Sequence, residues 1–317
     1  MKKGNKISIL GAGNVGATIA YTLTMDGMAS EIVLVDINRN KAQGEAMDII
    51  QGTALAAPVN IYAGDYPDLV GSDIVVVTLG CARKPGQTRL DLAQGNVDII
   101  KSVMPQAVRY APDAVYVVVS NPVDIITYTI LKTTGLPASR VFGSGTLLDS
   151  SRLREMIASC LCVNPKNVHA YVLGEHGDSS MVPWSLATVG GMPLDVFVEG
   201  MRRREPGFQE LDREKIVNEV HTSGGQVIKL KGATFYAIGL VTRRICSSVL
   251  YDTDSVMTLS SMLDGEYGLR DVCVSLPCNI GRHGIENVIA PRMLPEEHEK
   301  FMQSVQVMQE TISSLKI

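Results

Sequence analysis

The chain has 317 residues, 45% hydrophobic and 20% charged, an ordinary globular composition with apolar material for about two domains. Its 33 acidic and 29 basic side chains leave a net charge of −4, and the densest basic run, Arg202-Arg203-Arg204, stops at Glu205, so the clustered cations of a nucleic-acid surface are missing. No apolar stretch approaches the roughly 18 residues of a membrane span. The opening MKKGNKISIL breaks into glycines too early for a signal peptide. The six cysteines (81, 160, 162, 246, 273, 278) form no CxxC or zinc-type pattern. A cytoplasmic protein with free thiols and no structural metal is expected.

Taken in order, Lys6–Leu10 predicts a strand that runs into GAGNVG, and an amphipathic stretch continues to about Met25. Glu31–Asp36 is a second strand, ending on an acid, and a helix follows over about Lys41–Thr53. Val59–Tyr62 is a further strand candidate, and Asp73–Thr78 has the continuous β-branched run of a strand buried on both faces. Asp91–Tyr110 predicts a helix with a kink or break at Pro105. Ala114–Ser120 is a buried strand stopped by Asn121-Pro122, and Val123–Thr133 a helix stopped by Gly135 and Pro137. This alternation predicts a parallel sheet with crossover helices.

After about residue 145 the pattern changes. A helix near Leu148–Cys162 precedes His169–Leu173, the loop GEHGDSS and short alternating runs around Trp184–Val189. Glu210–Gly239 reads as helical with an interruption at Gly224-Gly225, while Ser255–Ser261 and Val272–Leu276 are strand-like. Phe301, Val305, Met308, Ile312 and Leu315 share one face of a closing helix over Pro295–Leu315.

Gly11, Gly13 and Gly16 form GxGxxG between a strand and a helix, where backbone N–H groups and the helix dipole suit a pyrophosphate. Asp36 lies 20 residues after Gly16, at the end of the second strand, where a carboxylate accepts the two hydroxyls of an adenosine ribose. That acid repels a 2′-phosphate, so NAD is favoured over NADP.

The loop GEHGD places His176 between glycines. Asp149 and Arg152 lie three apart on one helix face, and a basic loop from Arg83 to Arg89 follows the strand Asp73–Thr78. Asn121 ends a strand at the carboxyl edge, where ligands of such sheets bind. Moving a hydride between nicotinamide and a secondary alcohol requires a group that exchanges the hydroxyl proton near neutral pH, and histidine suits it. Asp149 is the candidate to orient that histidine. One arginine can grip a carboxylate and another polarise a carbonyl. Each element alone has an ordinary structural explanation; together, behind a dinucleotide fingerprint, they predict chemistry.

With GAGNVG, VDI, GEAMDI, GDY, KPGQTRLDLAQGN, SNPVD, GSGTLLDSSRLR, GEHGD, KGATFYAIG and SLPCNIGRHG, the chain resembles the L-lactate/L-malate dehydrogenase family over essentially its whole length. The resemblance implies an α/β protein: an N-terminal Rossmann domain with a doubly wound parallel sheet over residues 1–144, binding NAD, and a C-terminal α+β substrate domain over 145–317. It implies that His176 is the acid/base and Asp149 its partner. Arg89, on a lid over residues 81–90, would polarise the carbonyl, and Arg152 would grip the carboxylate. Asn121 and Thr234 would contact substrate. Val15, Asp36, Lys41, Tyr66, Gly80, Cys81, Ser102, Val119 and Ser144, with Asn121, would join the glycines around NAD. Some lactate dehydrogenases of this type are activated by fructose 1,6-bisphosphate through one arginine and one histidine at a subunit interface, and Arg154 and His169 match these. Arg154 lies about 200° around the helix from Arg152, pointing away from the pocket. A homotetramer is the expected assembly.

Arg83 divides the substrate reading. At this lid position the family has Gln in lactate enzymes and Arg in malate enzymes, and a second guanidinium suits the second carboxylate of oxaloacetate. An unpaired guanidinium closed over a methyl group is costly, although an arginine at a lid tip can turn its head back to water. GSGTLLDSSRLR, the Thr of KGATFY, SLPCNIGRHG and the Arg154/His169 pair favour lactate, which is the reading adopted, with malate the alternative. Gln51, where His is common, and Gln87, where an acid is common, touch none of this chemistry. A non-catalytic NAD-binding sensor predicts loss of the base or the clamp, yet His176, Asp149, Arg152 and Arg89 are all present.

Overall fold

The computed structural model describes residues 4–81, 88–204, 207–208 and 211–317, save for the Arg89 side chain. The first half alternates β1 (Lys6–Leu10), α1 (Asn14–Asp26), β2 (Glu31–Val35), α2 (Arg39–Gln51), β3 (Asn60–Ala63), β4 (Ile74–Val77), α3 (Arg89–Tyr110), β5 (Val115–Val118), α4 (Val123–Thr134) and β6 (Val141–Gly143). The second half contains α5 (Leu147–Leu161), β7 (Val168–His169), β8 (Thr188–Val189), β9 (Met192–Pro193), α6 (Leu194–Arg204), α7 (Arg213–Lys231), α8 (Tyr236–Tyr251), β10 (Ser255–Asp264), β11 (Arg270–Gly281), β12 (Gly284–Val288) and α9 (Pro295–Ser314).

Strands β1 to β6 pair in parallel in the order β3-β2-β1-β4-β5-β6, the doubly wound arrangement, with its switch point between β1 and β4. β10, β11 and β12 continue the same sheet antiparallel from the β6 edge, giving nine strands among the described residues. β7, β8 and β9 form a separate small antiparallel sheet.

The central strands are buried on both faces, so alternate residues enter different cores. Val75 and Val77 join a core built with α3, α4 and α9; Ile74 and Val76 join one built with α1, α2 and α8. Each fully buried Val or Ile contributes about 1.5–3 kcal/mol, which is why four residues suffice for β4 and β5. A third core beneath the small sheet joins Leu153 and Ile157 of α5 to Ile216 and Val220 of α7.

Several sequence expectations are revised. α7 runs unbroken through Gly224-Gly225, because the Asp212 cap and packing against α5 outweigh about 1 kcal/mol per glycine. Its stop is Gly232, and α8 is a separate helix. Pro105 lies inside a continuous α3, on its exposed face. α3 also starts two residues early: Thr88 accepts from the Asp91 N–H at 3.1 Å, while the Asp91 carboxyl accepts from the Thr88 hydroxyl at 2.7 Å and the Thr88 N–H at 3.0 Å, and these last two bonds hold it below its usual pKa. β10 and β11 extend beyond the predicted runs, because their pairing continues past the apolar core. The stretch His169–Leu173 keeps only β7 and a bridge from Leu173 to Met181. In α9, Phe301, Val305 and Met308 are buried, and Ile312 and Leu315 pack at the edge of the core.

Candidate active site

The loop between β1 and α1 is fixed from three sides. The Gly11 N–H donates to the Val35 carbonyl at 2.7 Å, and Gly11 has φ +102°, where a Cβ would meet the Thr78 carbonyl oxygen at 2.8 Å. A Cβ on Gly16 would lie 1.9 Å from the Gly11 carbonyl oxygen, so the third glycine lets α1 pack onto the loop. Around Gly13 the reverse holds: no protein atom lies within 4 Å of a Cβ position, leaving the approach to the α1 N-terminus open. Asp36 accepts from the Ala12 N–H and the Asn38 N–H, each at 2.7 Å, which points its carboxylate at the same loop. This open cradle with an acid beside it fits a dinucleotide.

The other cofactor candidates lie around it. Val15 is on α1, and Lys41, paired with Glu45 at 3.0 Å, is in the first turn of α2. Tyr66, half-buried, follows β3, and burial raises its phenol pKa. Val119 and Ser144 are buried just past β5 and β6, at the carboxyl edge of the sheet. Gly80 and Cys81 follow β4, where Asn96 of α3 accepts from the Cys81 N–H at 3.0 Å and donates to the Asn121 carbonyl at 2.7 Å. Asn96 thus ties residue 81 to Asn121, a role its sequence position did not suggest. Ser102 sits on the exposed face of α3, its hydroxyl donating to the Ile99 carbonyl at 2.8 Å.

His176 and the first two turns of α5 meet across the cleft. His176 Nδ1 lies 2.6 Å from Asp149 Oδ2, and Arg152 Nη1 donates to Asp149 Oδ1 at 2.9 Å. Helical spacing puts Asp149 and Arg152 on one face, so the carboxylate bridges imidazole and guanidinium. Burial disfavours the imidazolium, but the Asp149 carboxylate, aided by Asp124, outweighs burial and raises the His176 pKa. Burial likewise opposes the Asp149 anion, and His176 and Arg152 together hold its pKa below the usual value. The bond at Nδ1 leaves Nε2 as the proton-exchanging atom. Gly224 of α7 lies beside the clamp, where a Cβ would stand in ordinary contact with Arg152 Nη2, 3.7 Å away. Thr234 lies half-buried between α7 and α8.

The family model for the lactate/malate dehydrogenase NAD binding domain matches residues 5–143, and that for the alpha/beta C-terminal domain matches residues 146–316. The chain belongs to the lactate/malate dehydrogenase family. Among its relatives in the family, L-lactate dehydrogenase 1 of Clostridium acetobutylicum is 44% identical over 315 residues, covering 99% of this chain and 100% of that protein. L-lactate dehydrogenase of a Thermoanaerobacter species (strain X514) is 45% identical over 314 residues, 99% and 100% of the two chains. The ligand-bound crystal structure of the minor L-lactate dehydrogenase of Enterococcus mundtii superposes with a TM-score of 0.94 at 39% identity, covering 99% of each chain.

Of the family's lid, Arg83 and Gln87 lie outside the described residues. Arg89 is the first residue of α3, its backbone fixed by the Thr88–Asp91 cap. Arg154 turns away from the His176 cluster. Its Nη2 donates to the Pro165 carbonyl at 3.4 Å, and its buried Nε has no partner. With Tyr171 and Arg244 it lines a cavity of about 340 Å³, and burial lowers its pKa. His169 is exposed on β7, which packs against α5, and among the described residues no hydrogen bond or ion pair joins it to Arg154. No described helix is long and apolar enough to cross a membrane. One contact had no sequence signal: Asp124, in SNPVD, accepts from the His176 main-chain N–H at 2.8 Å.

Proposed function

We propose that the protein is an NAD-dependent L-lactate dehydrogenase of the cytoplasm, interconverting pyruvate and L-lactate. The observation that carries this reading is the hydrogen-bonded line His176–Asp149–Arg152, which sets a proton donor and a carboxylate clamp side by side at the edge of a dinucleotide cradle. The full-length likeness to proteins named L-lactate dehydrogenase supports the substrate.

Arg152 binds the substrate carboxylate through N–H groups not used on Asp149, fixing the 2-oxo acid in orientation. Arg89 polarises the carbonyl, and Asn121 and Thr234 bound the pocket. Protonated His176 gives its Nε2 proton to the carbonyl oxygen, and Asp149 stabilises the imidazolium before transfer. Gly11, Gly13, Gly16 and Asp36 hold the dinucleotide, with Val15, Lys41, Tyr66, Gly80, Cys81, Ser102, Val119, Asn121 and Ser144 around it. NADH, when bound, supplies the hydride that reduces the carbonyl carbon. The boundary between the NAD-binding and substrate domains is taken at residues 144 and 145, and the assembly as a homotetramer.

Arg83 keeps L-malate dehydrogenase as the second reading, because its charge suits a dicarboxylate. Arg154 and His169 are assigned to fructose 1,6-bisphosphate, which would activate the enzyme. The test is NADH oxidation with pyruvate, with and without the bisphosphate. His176→Ala should abolish turnover while NADH binding, followed by its fluorescence, survives; a variant that turns over at the parent rate refutes the reading.

A further inference from the structure

Asp124 is a buried ionisable group that the mechanism above leaves unused. It lies in the first turn of α4 and is 2% exposed. An acid there commonly faces water and complements the helix dipole; this one turns inward. Its Oδ2 accepts from the His176 main-chain N–H, while Oδ1 has no well-formed hydrogen bond. Around it stand Glu175 and His176 from the loop, Ser260 from β10 and Cys273 from β11. Ser260, its own hydroxyl without another partner, is the neighbour able to donate to the carboxyl. Asp149 holds the His176 ring at Nδ1 and is itself bonded to Arg152.

A carboxylate this deeply buried with one strong hydrogen bond is costly. Burial pushes its pKa up to about 6, eased by Ser260 and the His176 N–H, so it is still ionised at neutral pH. Filling the space does not require a charge, since an amide has the same shape. The charge has one evident beneficiary, because it lies at the His176 main chain and, with Asp149, favours the protonated imidazole.

We propose that Asp124 is a positioning residue for His176: its carboxylate anchors the histidine main chain and adds a second negative charge behind the imidazolium that Asp149 holds at the ring. This rests on reading His176 as the proton donor. Reduction requires the histidine to arrive protonated, and each nearby carboxylate extends the pH range in which it does so.

Asp124→Asn keeps the shape and an oxygen acceptor but removes the charge. With saturating NADH, kcat/KM for pyruvate falls on the alkaline side as His176 loses its proton. In Asp124→Asn that limb should move to lower pH by about 0.5–1 unit, with NADH affinity unchanged and Tm not lowered. A merely structural acid would lower Tm and depress the whole profile with the limb in place, which overturns the proposal. If the variant does not fold, Asp124→Ser, which removes the charge but keeps an oxygen able to accept a hydrogen bond, should move the limb the same way; an unmoved limb there also overturns it. His176→Ala runs in parallel. If it keeps the parent rate, the proton-donor reading fails and the proposal with it. If it loses the rate while the Asp124→Asn limb stays put, the proposal alone fails.

Discussion

Replacing Asp149 with Asn removes one charge from the centre of the site and little else. The carboxylate holds His176 Nδ1 at 2.6 Å and Arg152 Nη1 at 2.9 Å, and its side chain is 10% exposed. A hydrogen bond to a charged group contributes about 1.5–3 kcal/mol. Taking about 2 kcal/mol for the imidazolium bond alone, the His176 pKa falls by about 1.5 units. The sign follows from the direction of the shift. His176 is raised in the native protein, so the protonated form that reduces pyruvate persists to higher pH, and the variant loses it earlier. Above both limbs kcat/KM for pyruvate should therefore drop about 30-fold. Well below them the pKa contribution vanishes, and the remaining deficit measures how badly Asn orients the ring and the clamp. The assay is steady-state NADH oxidation across pH with saturating cofactor. A limb unmoved to within about 0.3 units, with kcat/KM within about threefold, would refute the assignment of Asp149.

Four further outcomes follow from the same geometry. Asp124 has its native pKa raised to about 6, above the usual aspartate value, so its burial costs nothing at low pH and its full amount above the native value, about 3 kcal/mol at most. Calorimetry of Asp124→Asn at pH 8 should accordingly give a Tm no lower than the parent's. Asp36→Ser should weaken NADH binding about 10- to 100-fold and narrow the preference over NADPH, read by fluorescence titration, because the ribose loses its acceptor. Gly16→Ala should lose NADH binding and melt several degrees lower, since its Cβ has only 1.9 Å to the Gly11 carbonyl oxygen. Arg154→Gln should lose any activation by fructose 1,6-bisphosphate in rate assays, and activation that persists would remove Arg154 from that site.

The parallel sheet was legible at β1, β2, β4 and β5, short apolar runs buried on both faces, whereas the partly exposed edge strand β3 and the three-residue β6 carry no such run. The nucleotide cradle was legible because Gly11, Gly16 and Asp36 answer to local steric and charge demands that a spacing can carry. What escaped the sequence depends on contacts between distant segments. The passage of α7 through Gly224-Gly225 is decided by α5 beneath it, and the antiparallel extension by β10 to β12 is decided by pairing at β6. Asp124 and Asn96 look like a helix-start acid and a polar helix residue; only the fold brings one to the main chain of His176 and the other between residues 81 and 121. Arg83, on which the substrate turns, is a question about where one side chain points in a closed lid, and no spacing encodes that.

The most direct test of the account is kcat/KM for NADH oxidation with pyruvate against oxaloacetate, measured on the same preparation. The account predicts that pyruvate wins. Oxaloacetate winning by several orders of magnitude would put Arg83 in the pocket and make the protein a malate dehydrogenase.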